Sequence, residues 1–378
     1  GESVLQIAPN AAAAYSLRSL TGGDPKVVRV RRDIDNAESD FTAAGISSGA
    51  LTSFVNDIQT VGTAVNGTGS FDNYTVSNLS TTGFSADNSA GGTGSAGFPY
   101  VFKDEDVLVI KYTVTNFSST SSLSPKIRGT SSTSSATEVT SGGTIFTANG
   151  TYTDTLTGTS NGTHLMFADG NTGSYTISDF EIVSHSSNGF VETWYDQSGN
   201  SNDAVQETAG SQPKIVSAGT LLNELDFDGT ADELAIDFGA DLSQANSLFM
   251  VHQSDSTSSN SNDFFDRISG SPRTLLDQSG SNYRMLSASS VSTGVAVTTD
   301  KSLVFALYNG ASSLFAKNGT ATSVLNAGTD GINQNSSLGS SGSNFYNGTM
   351  QEVIIYNSDQ SSNRVALETN INNQYSIF

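Results

Sequence analysis

Short runs of alternating or continuous apolar residues, broken every few positions by Gly, Asn, Asp or Ser, dominate the chain. Runs at 26–32, 107–114, 175–183, 247–252, 301–308 and 349–356 predict β-strands, because period-two alternation bounded by turn residues suits a pleated surface. Residues 26–32 (KVVRVRR) alternate charged and apolar, the pattern of a strand with one wet face. Residues 350–356 (MQEVIIY) are more apolar and predict a central strand. Helical signals are confined to two places. Residues 40–58 hold apolar positions at mixed spacing, enough for a turn or a short helix. Residues 361–374 open on a Ser/Asn cap and place Val365, Leu367 and Ile371 on one face. Strands joined by turns rather than helices predict antiparallel sandwiches, not βαβ units.

The texture changes between residues 67 and 187, where Ser, Thr and Gly thicken and 118–143 is almost entirely small and polar. Strand signals at 71–76, 98–102, 107–114, 125–128, 151–156, 164–167 and 175–183 make up the content of one sandwich. The chain is therefore expected to hold two nested units: residues 1–66 with 188–378, and an insert at 67–187. Sandwich termini that lie together at one end permit such an insertion.

Charge narrows the partners. Sixteen Lys and Arg against 37 Asp and Glu give a net charge of −21 over 378 residues. Phosphate binding needs clustered cations, so nucleic acid is excluded as a partner, and an anionic membrane surface is disfavoured. No apolar run is long enough to insert into a bilayer. Residues 1–4 (GESV) show neither the basic leader nor the apolar core of a signal peptide. Cysteine is absent, which removes disulfides, thiolate metal sites and a cysteine nucleophile.

Three stretches carry a resemblance: 14–41 (AYSLRSLTGGDPKVVRVRRDIDNAESDF), 190–205 (FVETWYDQSGNSNDAV) followed by 212–216 (QPKIV), and 225–232 (LDFDGTAD). Together they resemble the sandwich catalytic domain of family 54 α-L-arabinofuranosidases and its laminin-G/concanavalin-like relatives. In that family the first two stretches follow closely; here more than a hundred residues part them. Residues 339–378, with 345–353 (FYNGTMQEV), resemble the closing strand and helix of a laminin-G-like jelly roll. The insert resembles a jelly-roll carbohydrate-binding module at 98–107 and 175–182. The fold implied is all-β: a concanavalin A-like (laminin-G-like) jelly-roll sandwich interrupted by a second, smaller β-sandwich. Similar domains recur in appendage proteins of marine bacteriophages. That likeness implies an extracellular place on a virion surface, as a fibre or capsid decoration subunit. The partners it implies are host-surface glycans, other virion structural proteins and further copies in a homo-oligomer.

Candidate chemistry is sparse. Glycoside hydrolysis needs two carboxyl groups a fixed distance apart. Asp226, Asp228, Asp232 and Asp263 are among many acids in the relevant half, none in the context of the arabinofuranosidase nucleophile or acid. The adjacent cysteine pair that the resemblance implies beside the sugar is impossible here, which tilts the reading away from an enzyme. Asp196, Ser198, Asn200 and Asn202 offer oxygens at alternate positions, with Glu207 in the twelfth place, approximating a calcium loop. The pattern departs at Ser201, where the sharp turn prefers Gly, and the competing reading is a polar turn bonded to its own backbone. Phe98 and Tyr100 in the insert, and Trp194 and Tyr195 outside it, are candidate sugar platforms that core packing also claims. Arg31 is a candidate grip for an acidic sugar, in competition with pairing to Asp33, Asp35, Glu38 or Asp40. The leading expectation is a non-catalytic virion protein. The alternatives are a secreted arabinofuranosidase-like hydrolase and a free-standing bacterial carbohydrate-binding or adhesion protein.

Overall fold

A computed structural model of the chain describes residues 1–119, 125–135, 138–169 and 172–378. The protein is all-β, built from antiparallel sheets. Outside residues 65–186, one path of pairing starts at Glu38–Thr42 and passes through Lys26–Arg32, Gly189–Trp194, Lys214–Ser217 and Thr220–Asp228 to Asn347–Tyr356. It continues through Asn246–Ser254 and Ser302–Tyr308 to Leu314–Lys317. A second path leaves the C-terminal half of Gly189–Trp194 through Ala204–Val205, Leu234–Asp237, Asn335–Leu338 and Ser259–Arg267. It ends in the meander Thr274–Gly280, Asn282–Ser287 and Ser290–Ala296.

Apolar side chains from both paths meet in one core, Met250, Val304 and Val353 from the first and Phe265, Leu276 and Met285 from the second. The two paths thus face each other as the layers of a sandwich. The outer face of the first layer is covered as well. Phe249, Phe305 and Ile354 pack there against Leu367 and Ile371 of the helix Arg364–Tyr375 and against Val4 and Ala8 near the N-terminus. Both faces of strand Asn347–Tyr356 are buried from Met350 to Tyr356, Gln351 and Glu352 included, as its central place requires.

The predicted helices differ in detail. Residues 40–58 fold as the end of strand Glu38–Thr42 and two short helices, Ala43–Ser47 and Ala50–Val55. In the C-terminal helix Leu367 and Ile371, one turn apart, are fully buried, but Val365 is 64% exposed. Two residues along a helix turn the side chain about 200°, so Val365 cannot share the face of Leu367.

The intervening chain forms a second pair of sheets. Six strands run in the order Thr140–Ser141, Gly150–Gly158, Val107–Ser119, Gly173–Ser186, Phe84–Asp87, Thr75–Ser77. Four more run Val65–Asn66, Gly94–Phe102, Gly162–Asp169, Lys126–Thr130. Their shared core is strongly aromatic: Phe98 stacks on Phe180 at 4.0 Å, and Phe84, Tyr112, Phe146, Phe167 and Tyr175 surround them. Val65–Asn66, assigned by sequence to the flanking unit, pairs instead with Gly97 and Ala96 of the insert. Only two residues separate Gly173–Ser186 from Gly189–Trp194, so the insert leaves through a short exit.

Candidate functional site

The sequence-predicted aromatic platforms are mostly sealed. Phe98 is fully buried against Phe180, and Trp194 is fully buried against Tyr15 at 5.6 Å. Tyr100 is 2% exposed. Its hydroxyl meets His185 Nδ1 at 2.9 Å, and His185 Nε2 meets Asp106 Oδ2 at 2.7 Å. These three rings have no free face for a sugar, because aromatic area in thin cores is spent on packing. Tyr195 is half-buried, and its hydroxyl donates to Asp40 Oδ1 at 2.7 Å beside Arg29 and Lys26. Arg29 holds the Asp40 carboxyl well below the usual carboxylate range.

The stretch read as a calcium loop is a self-bonded turn. Asp196 Oδ1 accepts the N–H groups of Ala14 and Ser198, and its Oδ2 accepts the Ser198 hydroxyl and the Asn202 N–H. Asn200 and Asn202 turn their amide nitrogens to the Ala12 carbonyl, presenting donors there rather than ligand oxygens. Ser201 takes a left-handed φ of 61°, the conformation for which the calcium pattern wants Gly. The chain then enters strand Ala204–Val205, and Glu207 lies exposed beyond it. Among the described residues, no three His, Cys, Asp or Glu side chains gather closely enough to hold a metal ion. The loop instead ties Ala11–Ala14 to the end of Gly189–Trp194.

Of the residues singled out as sugar or calcium contacts Arg31 alone borders the main cleft, a hollow of ≈ 560 Å³, and the candidate acids Asp226, Asp228 and Asp232 line it too. The cleft lies where the insert turn at Asp104 and Glu105 approaches the flanking strands. Strand Lys26–Arg32 delivers Arg31, strand Lys214–Ser217 delivers Lys214, and Thr220–Asp228 delivers Asp226 and Asp228. Phe190 and Asn188 come from the insert's exit, and Asp232 closes the turn after Asp228.

Hydrogen bonds fix most of these groups. The Arg31 guanidinium sits 4.9 Å from the Phe190 ring and donates to Gln212, Asp33, Asn36 and the Ala209 carbonyl. The expected pairing with Asp33 is present, at 3.2 Å, and Arg31 is 6% exposed. Lys214 Nζ lies 3.1 Å from Glu105 Oε2, and that contact holds the Glu105 carboxyl below its ordinary value. Asp228 Oδ1 accepts the N–H groups of Thr230, Ala231 and Asp232. Burial pushes the Asp228 carboxyl up, but the Thr230 hydroxyl and these N–H groups outweigh it and the net direction is down. Asp232 shows the reverse. It is 6% exposed, and burial together with the Asp228 and Asp226 charges lifts its carboxyl to about 7. Asp226 is also raised, by burial first and then by Asp255.

Sequence reasoning named Asp226, Asp228 and Asp232 without bringing them together, and missed Lys214, Asn188 and Phe190 altogether. The LDFDGTAD run already signals a tight acidic turn, because an Asp four residues from another across Gly can cap its own loop. Nothing local signals the meeting of Lys214 with Glu105, which are 109 positions apart.

No protein-family model matches the chain, and no curated protein matches it. Solved structures of Trypanosoma rangeli sialidase align over part of it. The free enzyme does so at 14% identity and TM-score 0.35, covering 48% of this chain and 31% of that one. The complex with the inhibitor DANA aligns at 14% identity and TM-score 0.33, covering 47% and 30%. The chain thus spans less than a third of the length of these structures.

Proposed function

We propose that this chain is a non-catalytic glycan-binding protein whose ligand sits in the cleft bordered by Arg31, Asn188, Asp226, Asp228 and Asp232. The observation that carries the reading is the cleft itself, ≈ 560 Å³ and rimmed by carboxylates and amides around one aromatic ring. A pyranose presents hydroxyls that both donate and accept, and such a rim supplies partners for each, in a volume ordinary for ligand sites. The same proposal places the chain outside the cell on a virion, as an oligomeric fibre or decoration subunit, and that part rests only on the resemblance of the flanking segments. Its further partners there are neighbouring virion subunits. Glycan-array binding by the full chain, weakened by Asp226→Asn, is the expected result. An array with no bound glycan overturns the reading. Sedimentation with phage particles and the mass of the free species test the virion setting.

One observation favours a second reading. Asp232 with its carboxyl near 7 and Asp228 held low are two acids whose environments push their proton affinities apart. That is the division of labour a glycoside hydrolase needs between acid and carboxylate. Release of aryl alcohol from an aryl α-L-arabinofuranoside, abolished by Asp232→Asn, would replace binding alone with hydrolysis.

A further inference from the structure

We infer that the cleft selects sugars carrying a protonated amine over neutral or anionic ones. The inference rests on the reading of the cleft as a glycan site and adds the class of glycan.

Six carboxyl groups line the cleft, Asp33, Asp104, Glu105, Asp226, Asp228 and Asp232, against two cations, Arg31 and Lys214. Both cations are already engaged. Arg31 pairs with Asp33 at 3.2 Å and donates three more of its five N–H groups to Gln212, Asn36 and Ala209. Lys214 stands directly across the strand pair from Asp226, yet its ammonium reaches Glu105 on the insert. Asp104, Asp226, Asp228 and Asp232 consequently have no cation within 4.0 Å among the described residues. Asp226 is half-buried, so its charge is less screened than that of a surface acid.

An anionic sugar entering this space would meet carboxylates with no ion-pair partner, Asp104 and Asp228 among them, while both cations are held by other acids. An ammonium would find charge-assisted acceptors, which bind about twice as strongly as neutral ones. Unneutralised acids at contact distance are worth about tenfold in affinity for one added positive charge at low salt, after solvent screening.

The test is calorimetric titration of the full chain at low salt with three probes of equal length: a glucosamine oligomer, its N-acetylated form and an oligogalacturonate. The amine form should bind about tenfold tighter than the acetylated form, with the advantage fading in high salt, and the uronate should not bind. Asp226→Asn and Asp104→Asn should each lower the amine probe's affinity more than the acetylated probe's, so that the ratio between the two falls toward one, with the melting temperature nearly unchanged. Equal or tighter uronate binding overturns the selectivity and leaves glycan binding standing. Amine preference that persists in both variants also overturns it, since attraction would then come from the overall charge of −21. Failure of all three probes, with the chain shown folded, overturns the inference and counts against the cleft as a glycan site.

Discussion

Lys214 Nζ lies 3.1 Å from Glu105 Oε2, joining a strand of the flanking sandwich to a turn of the insert. The same ammonium would otherwise face Asp226, its partner across the strand pair. Glu105→Gln should release Lys214 to Asp226 and lower affinity for an amine-bearing sugar several-fold. Glu105 is largely exposed, so global stability should change by less than about 1 kcal/mol. Titration and thermal unfolding of the same variant read the two effects separately. An unchanged affinity would show that Lys214 does not answer to Glu105.

Tyr100, His185 and Asp106 form a buried chain of hydrogen bonds inside the insert. Tyr100→Phe leaves His185 Nδ1 without its phenol and should cost about 1–3 kcal/mol, the penalty for orphaning a buried polar group. The chain has one tryptophan, Trp194, in the flanking core. We propose that the two sandwiches unfold independently. The variant should then lower a far-ultraviolet circular dichroism transition while the Trp194 fluorescence transition stays in place. A joint shift of both transitions would make the pair one cooperative unit.

Trp194→Ala should destabilise the flanking sandwich by about 3–5 kcal/mol, the cost of removing a fully buried aromatic ring. Trp194→Phe should retain most of the stability and all of the glycan affinity. A loss of affinity in the folded Phe variant would return Trp194 to the role of sugar contact.

The sandwich architecture was legible because strand periodicity is local. MQEVIIY announced a central strand from seven residues, and KVVRVRR announced a strand whose expected wet face is instead largely covered, with only Lys26 exposed and Arg31 buried. The division of labour among aromatic residues was not legible. Phe98 and Trp194 look alike as platform or core until the opposing Phe180 and Tyr15 are in place. The loop after Trp194 misled for a related reason: spacing alone cannot distinguish oxygens aimed at an ion from oxygens accepting the chain's own N–H groups. Arg31 was found because cations are scarce here, but its engagement with Gln212 depends on a residue 181 positions away.

Asp232 supplies a pH test with a definite sign. Its carboxyl titrates near 7 in the folded chain against an ordinary value of 3.8. Between these values the folded state holds a proton that the unfolded state has released. The contribution is therefore fully present below the ordinary value and is lost as pH rises through about 7. Asp232→Asn cannot titrate, so its stability relative to the native chain should climb across that window and then level off. Urea unfolding at stepped pH measures the difference, and a flat difference would mean that Asp232 ionises normally.

His252 should show the opposite slope. It is fully buried, with Nε2 2.9 Å from the Tyr283 hydroxyl and Nδ1 3.1 Å from that of Tyr346. Burial, with a smaller push from Lys317, lowers its imidazole to about 3 from 6.5. The folded chain keeps it neutral while the unfolded chain takes up a proton, so its contribution is present above 6.5 and falls away as pH drops toward 3. Two buried aspartates, Asp232 near 7 and Asp263 near 6, contribute stability in the contrary direction over part of this range. The net profile of the native chain is therefore flatter than any one group would make it. His252→Gln offers hydrogen-bond partners to both tyrosines without titrating there. Its deficit in unfolding free energy at neutral pH should shrink steadily on acidification. A deficit that stays constant would show that His252 is protonated in the folded core.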